Sequence, residues 1–246
     1  MSRYRAAFYH LSISFVVFVF LAYVVLFIWF PGFFFAIDGG WEGMRILIGV
    51  DLVLGPLLTL MVFKEGKPGL KFDLTMIGTF QAVCLAAGLY VIYSERPIFF
   101  IYYEQHFYSC SSDTFTRFGV DTPDYLKYSS SSPAMIYVNV PDNAIEEADA
   151  RKVLYDDEVP PWTFSAWYTP LGEHLDKIVQ QGVGEQEIRD RDADGNLDAW
   201  LAKYGGDFDD YAFVPIHSRY RDAFLGIRKS DKQMIDIVEI RPPLNG

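Results

Sequence analysis

From Leu11 to Phe30 the chain carries no charged residue, and Phe, Val, Leu and Ile supply most of the run. A helix advances about 1.5 Å per residue, so roughly 20 apolar residues match the hydrocarbon thickness of a bilayer. The run is entered past Arg3 and Arg5 and left at Pro31-Gly32. A cleaved secretory leader has an apolar region of about 7–15 residues and ends at a small-residue site. This run is longer and ends in Phe, Trp and Pro, so it reads as an uncleaved membrane anchor.

Two further apolar runs follow. Ile46–Phe63 is interrupted by Asp51 and by Gly55-Pro56, and Leu74–Tyr93 contains Gln81 and Cys84. Between the first two, Gly32–Met44 reads as a short turn with Trp41 as an interfacial anchor. Lys64, Lys67 and Lys71 surround Pro68-Gly69 in a basic turn. Short loops on the cytoplasmic side are enriched in Lys and Arg. With the N-terminus inside, that side carries Arg3, Arg5, Lys64, Lys67 and Lys71, against Arg45 and Arg96 on the other. Three spans, at 11–30, 46–63 and 74–93, then leave everything after Ser94 outside. In a bacterium with two membranes the expected location is the inner membrane, with the C-terminal part in the periplasm.

Splitting the chain there separates two compositions. The whole chain has 246 residues and a formal charge of −11. Residues 1–94 are close to neutral, so the tail holds essentially all of the negative charge. An acidic tail of this kind argues against nucleic acid and for a protein partner. The expected fold is a polytopic membrane protein, with a three-helix transmembrane domain at 1–94 and an acidic α+β periplasmic domain at 95–246. In the tail, Ile98–Tyr108, Met135–Val140, Tyr211–Ile216, Ala223–Arg228 and Met234–Ile240 have strand character, the last two as a hairpin across Ser230-Asp231-Lys232. Asp142 is placed to cap a helix through Tyr155, and Thr169-Pro170 to open another through Val179, with Pro242-Pro243 ending the last strand. Cys84 and Cys110 fall on different sides of the boundary and read as buried, inert thiols.

Few constellations carry chemistry. Asp51 is a carboxylate in a hydrocarbon-facing segment, which costs several kcal/mol unless it is paired, protonated or hydrated. Two uses are open: a polar contact with another protein's membrane helix, with Gln81 as a second such group, or an internal hydrogen bond to a Tyr or backbone group of the third span. Counted from Ile46, Asp51 lies about 8 Å below the outer boundary. Asp73 lies at the inner end of the third span, too far away to form an acid dyad with it. His10, His106, His174 and His217 are scattered singly, and no nucleophile elbow, Walker segment or dinucleotide fingerprint occurs, so no enzyme is indicated. Asp190, Asp192, Asp194, Asn196 and Asp198 occupy positions 1, 3, 5, 7 and 9 of a calcium-loop pattern, with Gly195 at the bend. There alternate oxygens converge on a hard cation. Leu201 stands where a bidentate Glu is usual, so calcium competes with a plain acidic turn. No other cofactor is suggested.

The run Asp51-Leu-Val-Leu-Gly55-Pro56-Leu-Leu-Thr59-Leu60, the basic turn leading to Asp73, Gln81, and the exit Arg96-Pro97-Ile98-Phe99-Phe100 together resemble the type IV pilin accessory proteins called TfpX and TfpZ. Val214-Pro215-Ile216, Arg219-Tyr220-Arg221-Asp222 and Ile235–Ile240 are similar to that family as well. The resemblance spans most of the chain, is strongest from Asp51 to Phe100, and leaves out the Asp190–Asp198 segment. It implies a non-enzymatic inner-membrane protein of fimbrium biogenesis that assists the stability or assembly of a cognate type IV major pilin. Its partners would be that pilin, the lipid bilayer and other pilus assembly proteins. A membrane-anchored envelope enzyme and a periplasmic sensor or binding module are the alternatives; a catalytic cluster or a deep pocket in the tail would favour them.

Overall fold

The computed structural model describes residues 2–140, 159–192 and 194–240. The chain divides into two compact units, one of Met1–Phe35 with Gly39–Glu95, the other of Ala36–Asp38 with Arg96–Gly246.

The first unit holds three helices long and apolar enough to cross a membrane: Arg3–Trp29, Gly40–Val62 and Leu70–Glu95. Each helix starts before its expected apolar run, and the third also ends after it. Continuing the helix through the flanking residues satisfies their backbone groups. Ser2 caps the first helix, its hydroxyl accepting from Arg5 N at 3.4 Å. The second opens after Gly39, which is left-handed at φ 88°. Its turns widen to π-type over Ile48–Leu54, just ahead of Pro56. Proline supplies no N–H and crowds the preceding turn, and a wider turn relieves both. Helices two and three approach closely at Gly43, where a Cβ would lie 2.7 Å from Ile92 Cγ1. Asp73 pairs with Lys67 at 2.6 Å across the basic turn. Outward side chains are apolar, with Val16 at 69% and Met61 at 71% exposure.

The second unit is built on a seven-stranded mixed sheet in the order β4-β3-β1-β2-β5-β6-β7. The strands are β1 Phe99–Tyr103, β2 His106–Cys110, β3 Ala134–Val138, β4 Tyr168–Pro170, β5 Tyr211–His217, β6 Ala223–Arg228 and β7 Met234–Glu239. The single strand expected over Ile98–Tyr108 is in fact an antiparallel hairpin, pairing Phe99 with Cys110. Its turn residues Glu104 and Gln105 have φ of 45° and 67°. Such turns favour Asn-Gly, so Glu-Gln gives no sequence signal.

The helix expected to open at Thr169 is also corrected. Thr169 pairs with Tyr137 in β4, and the helix begins only at Leu175, after a 3₁₀ turn over Leu171–His174. β4 is an edge strand, where Pro170 is tolerated. The helix expected over Asp142–Tyr155, and Pro242-Pro243, lie outside the described residues.

Two clusters of buried side chains pack against different groups of strands, and Phe100, Tyr102, Phe107, Val214, Ile216 and Leu225 are buried outside both. Ile98, Phe99, Ile101, Phe115, Ile136, Trp162 and Tyr168 pack in one. Ile188, Leu197, Trp200, Phe213, Phe224 and Val238 pack in the other, under helices Glu185–Arg191 and Asn196–Tyr204. Strands β2 and β5 join the halves through a short parallel seam, Phe107 beside Ile216 and Tyr108 beside His217.

Candidate functional site: a polar cluster among apolar helices

The run Asp51, Gly55, Thr59 repeats every four residues, which places all three on one side of the second helix, and all three are buried. Gln81 of the third helix is buried against them. Its amide donates to Asp51 Oδ1, to the Asp51 carbonyl at 3.3 Å and to Ser14 Oγ at 3.3 Å. Ser14 of the first helix donates to Asp51 Oδ1 at 3.1 Å. The other end of the amide, Gln81 Oε1, lies 2.9 Å from His10 Nε2, and His10 Nδ1 lies 2.6 Å from Thr59 Oγ1.

Because Gln81 Oε1 can only accept, His10 Nε2 donates. His10 Nδ1 shares a hydrogen bond with the Thr59 hydroxyl. A continuous chain of hydrogen bonds therefore links Thr59 through His10 and Gln81 to Asp51. Asp51 Oδ2 is buried and has no hydrogen-bond partner among the described residues. Gly55 makes the arrangement possible, since a Cβ there would lie 2.2 Å from Gln81 Oε1.

Asp51 is thus hydrogen-bonded to the third helix through the Gln81 side chain, not through a Tyr or backbone group of that helix. The second helix starts at Gly40, and Asp51 stands beside Ser14, which is only three residues into the first apolar run that begins at Leu11.

The Asp190–Asp198 segment is arranged differently. Asp190 accepts from Gln186 Nε2 at 2.7 Å, and Asp198 pairs with Arg189 at 2.9 Å. That pairing holds the Asp198 carboxyl below its ordinary value. Asp192 accepts from the backbone N–H of Asn196 at 2.9 Å and of Leu197 at 2.7 Å, capping the helix that starts there. Asn196 donates its side-chain amide to the Glu239 carbonyl at 2.9 Å. Gly195 is left-handed at φ 74°. Among the described residues, no three His, Cys, Asp or Glu side chains gather as a metal ion would need.

No family model and no solved structure matches the chain. It is similar to the fimbrial assembly protein of serogroup E1 from Dichelobacter nodosus, 34% identical over 92 residues, which is 36% of this chain and 35% of that protein. The fimbrial assembly protein of serogroups C1 and C2 from the same organism is 32% identical over 92 residues, covering 36% of this chain and 70% of the relative. This chain belongs to the fimbrial assembly proteins. It spans 35% of the length of the serogroup E1 and serogroup I relatives that it matches.

Three members of the cluster in this fimbrial assembly protein escaped sequence reasoning. His10 looked solitary, and Ser14 and Thr59 sat inside apolar runs. The available signal was the four-residue spacing of Asp51, Gly55 and Thr59, with Ser14 following His10 by one turn. Two other histidines also meet: the rings of His106 and His217 stack with centroids 4.9 Å apart. Cys110 is buried, whereas Cys84 is only partly so.

Proposed function

We propose that this fimbrial assembly protein spans a bacterial inner membrane three times, N-terminus inside, with residues 1–94 as the membrane domain and 95–246 as a periplasmic α+β domain. In this reading it acts without catalysis, as an accessory protein that keeps a cognate type IV major pilin stable and ready for assembly. The names of its relatives and the three long apolar helices support the reading. The contact with pilin is assigned to the Asp51–Gln81 cluster, and the observation that carries it is the buried Asp51 Oδ2. That oxygen has no partner among the described residues, so a donor on a neighbouring helix would stabilise it. Gln81 contributes by holding the carboxylate in place.

The test is co-purification from native membranes with and without the major pilin, for the wild type and Asp51→Leu. The wild type should bring down pilin. D51L should lose pilin and lower piliation while staying at normal level in the membrane. Full piliation in D51L overturns the assignment of the contact. Loss of the variant protein itself means that Asp51 serves only the helix packing. Absence of pilin from the wild-type sample overturns the function.

A further inference from the structure

The segment Ala36–Asp38 lies in sequence between the first two apolar helices, yet it belongs to the compact unit of the sheet. Its position there is specific. Asp38 is buried and accepts a hydrogen bond from Ser109 of β2 at 2.7 Å. The carbonyl of Ile37, itself fully buried, accepts from Ser218 Oγ at 2.8 Å and from Tyr220 N at 3.2 Å in the turn between β5 and β6. Ser109 and Ser218 are the first residues past the β2–β5 seam, where the pairing of Phe107 with Ile216 and Tyr108 with His217 ends. The segment thus touches both halves of the sheet at the end of the two-pair ladder that joins β2 to β5.

We propose that Ala36–Asp38 is a proton-controlled staple: with Asp38 neutral it clamps the two halves of the sheet at their seam, and ionisation of that carboxyl loosens the clamp. Burial pushes the Asp38 carboxyl up to about 7, and the Ser109 hydrogen bond pulls the other way. A carboxyl raised in the closed state binds its proton more tightly there than when open. Closure is therefore fully favoured below the ordinary carboxylate value, weakens as pH rises from about 4, and levels off above about 7.

On β2, burial pushes the Cys110 thiol up, so it stays neutral throughout this window. On the turn, Arg219 lies 3.6 Å from Asp113. His217, lowered by burial, lies beside Asp222 and His106. The variant Asp38→Asn keeps His217 and all these groups, so its difference from the wild type isolates Asp38.

The measurement is hydrogen exchange of the full chain in lipid nanodiscs from pH 5 to 8, corrected for the intrinsic pH dependence of exchange. In the wild type, protection at 106–110 and 218–222 should fall together, by about tenfold per pH unit up to pH 7 and little beyond it. D38N should show no such fall. Ser109→Ala removes the bond that favours the charged form, so its plateau should move above pH 7, which gives a second readout if D38N folds poorly. Wild type and D38N falling alike, a response confined to one half of the sheet, or an unmoved plateau in S109A would overturn the staple.

Discussion

Gly55 is the residue on which the polar cluster depends most sharply. A methyl group there would lie 2.2 Å from Gln81 Oε1, and that side chain cannot retreat without releasing Asp51 and His10. Gly55→Ala should therefore lower the thermal stability of the membrane-solubilised protein. The loss should be on the order of 1–3 kcal/mol, the cost of leaving buried polar groups unmade. An unchanged melting temperature would mean that Gln81 is held loosely. Asp192 poses the opposite question, because its carboxylate caps a helix while its spacing suits a calcium loop. Calcium there is a proposal resting on spacing, and the ion would have to take Asp198 from Arg189. Titration should give weak binding, in the range of roughly 10⁻⁴–10⁻³ M. The site should tighten in Arg189→Gln and vanish in the double variant D192A/D194A. Flat titrations for the wild type and R189Q alike would leave the segment as a capped turn.

At the scale of elements, legibility followed the strength of local signals. β5, β6 and β7 were readable because apolar strand residues alternate with an obvious turn at Ser230-Asp231-Lys232. The β1–β2 turn was hidden because Glu104 and Gln105 adopt positive φ without the residues that favour it. β4 was hidden because Thr169-Pro170 is also a good helix start, and only its pairing with β3 decides between the two. Helices Glu185–Arg191 and Asn196–Tyr204 were obscured by the acidic pattern laid across both. In the first unit the three long apolar helices were legible from length alone, and Asp51 and Gln81 from their polarity. Their three partners were not, since Ser and Thr are common in apolar helices and contact across helices is not local. The hairpin gives a direct check. Replacing Glu104-Gln105 with Asn-Gly should raise the melting temperature by a few degrees, because those residues reach φ > 0 at lower cost. A decrease would mean that the Tyr103–Glu104 hydrogen bond at 2.8 Å outweighs the backbone gain.

For the whole molecule, the proposed topology turns on which side of a membrane the acidic unit would occupy. The three apolar helices are an odd number, so the two ends of the chain lie on opposite sides if all three cross. Lys64, Lys67 and Lys71 lie in the turn after the second helix, and Arg3 and Arg5 precede the first, so one side collects five cations. The opposite flanks hold Arg45 and Arg96 alone. Positive residues in short loops stay cytoplasmic, because moving them across opposes the membrane potential. The acidic unit should then meet a partner only on the far side, where a pilin head would also stand. Fusing a reporter active only in the periplasm after Gly246 should give signal, and fusing it after Lys67 should give none. Substituting Lys64, Lys67 and Lys71 together by Gln should weaken that contrast, since it removes three of the five cations that set the orientation. Signal at Lys67 in the wild type would reverse the topology, place the acidic unit in the cytoplasm, and with it remove the proposed meeting with pilin.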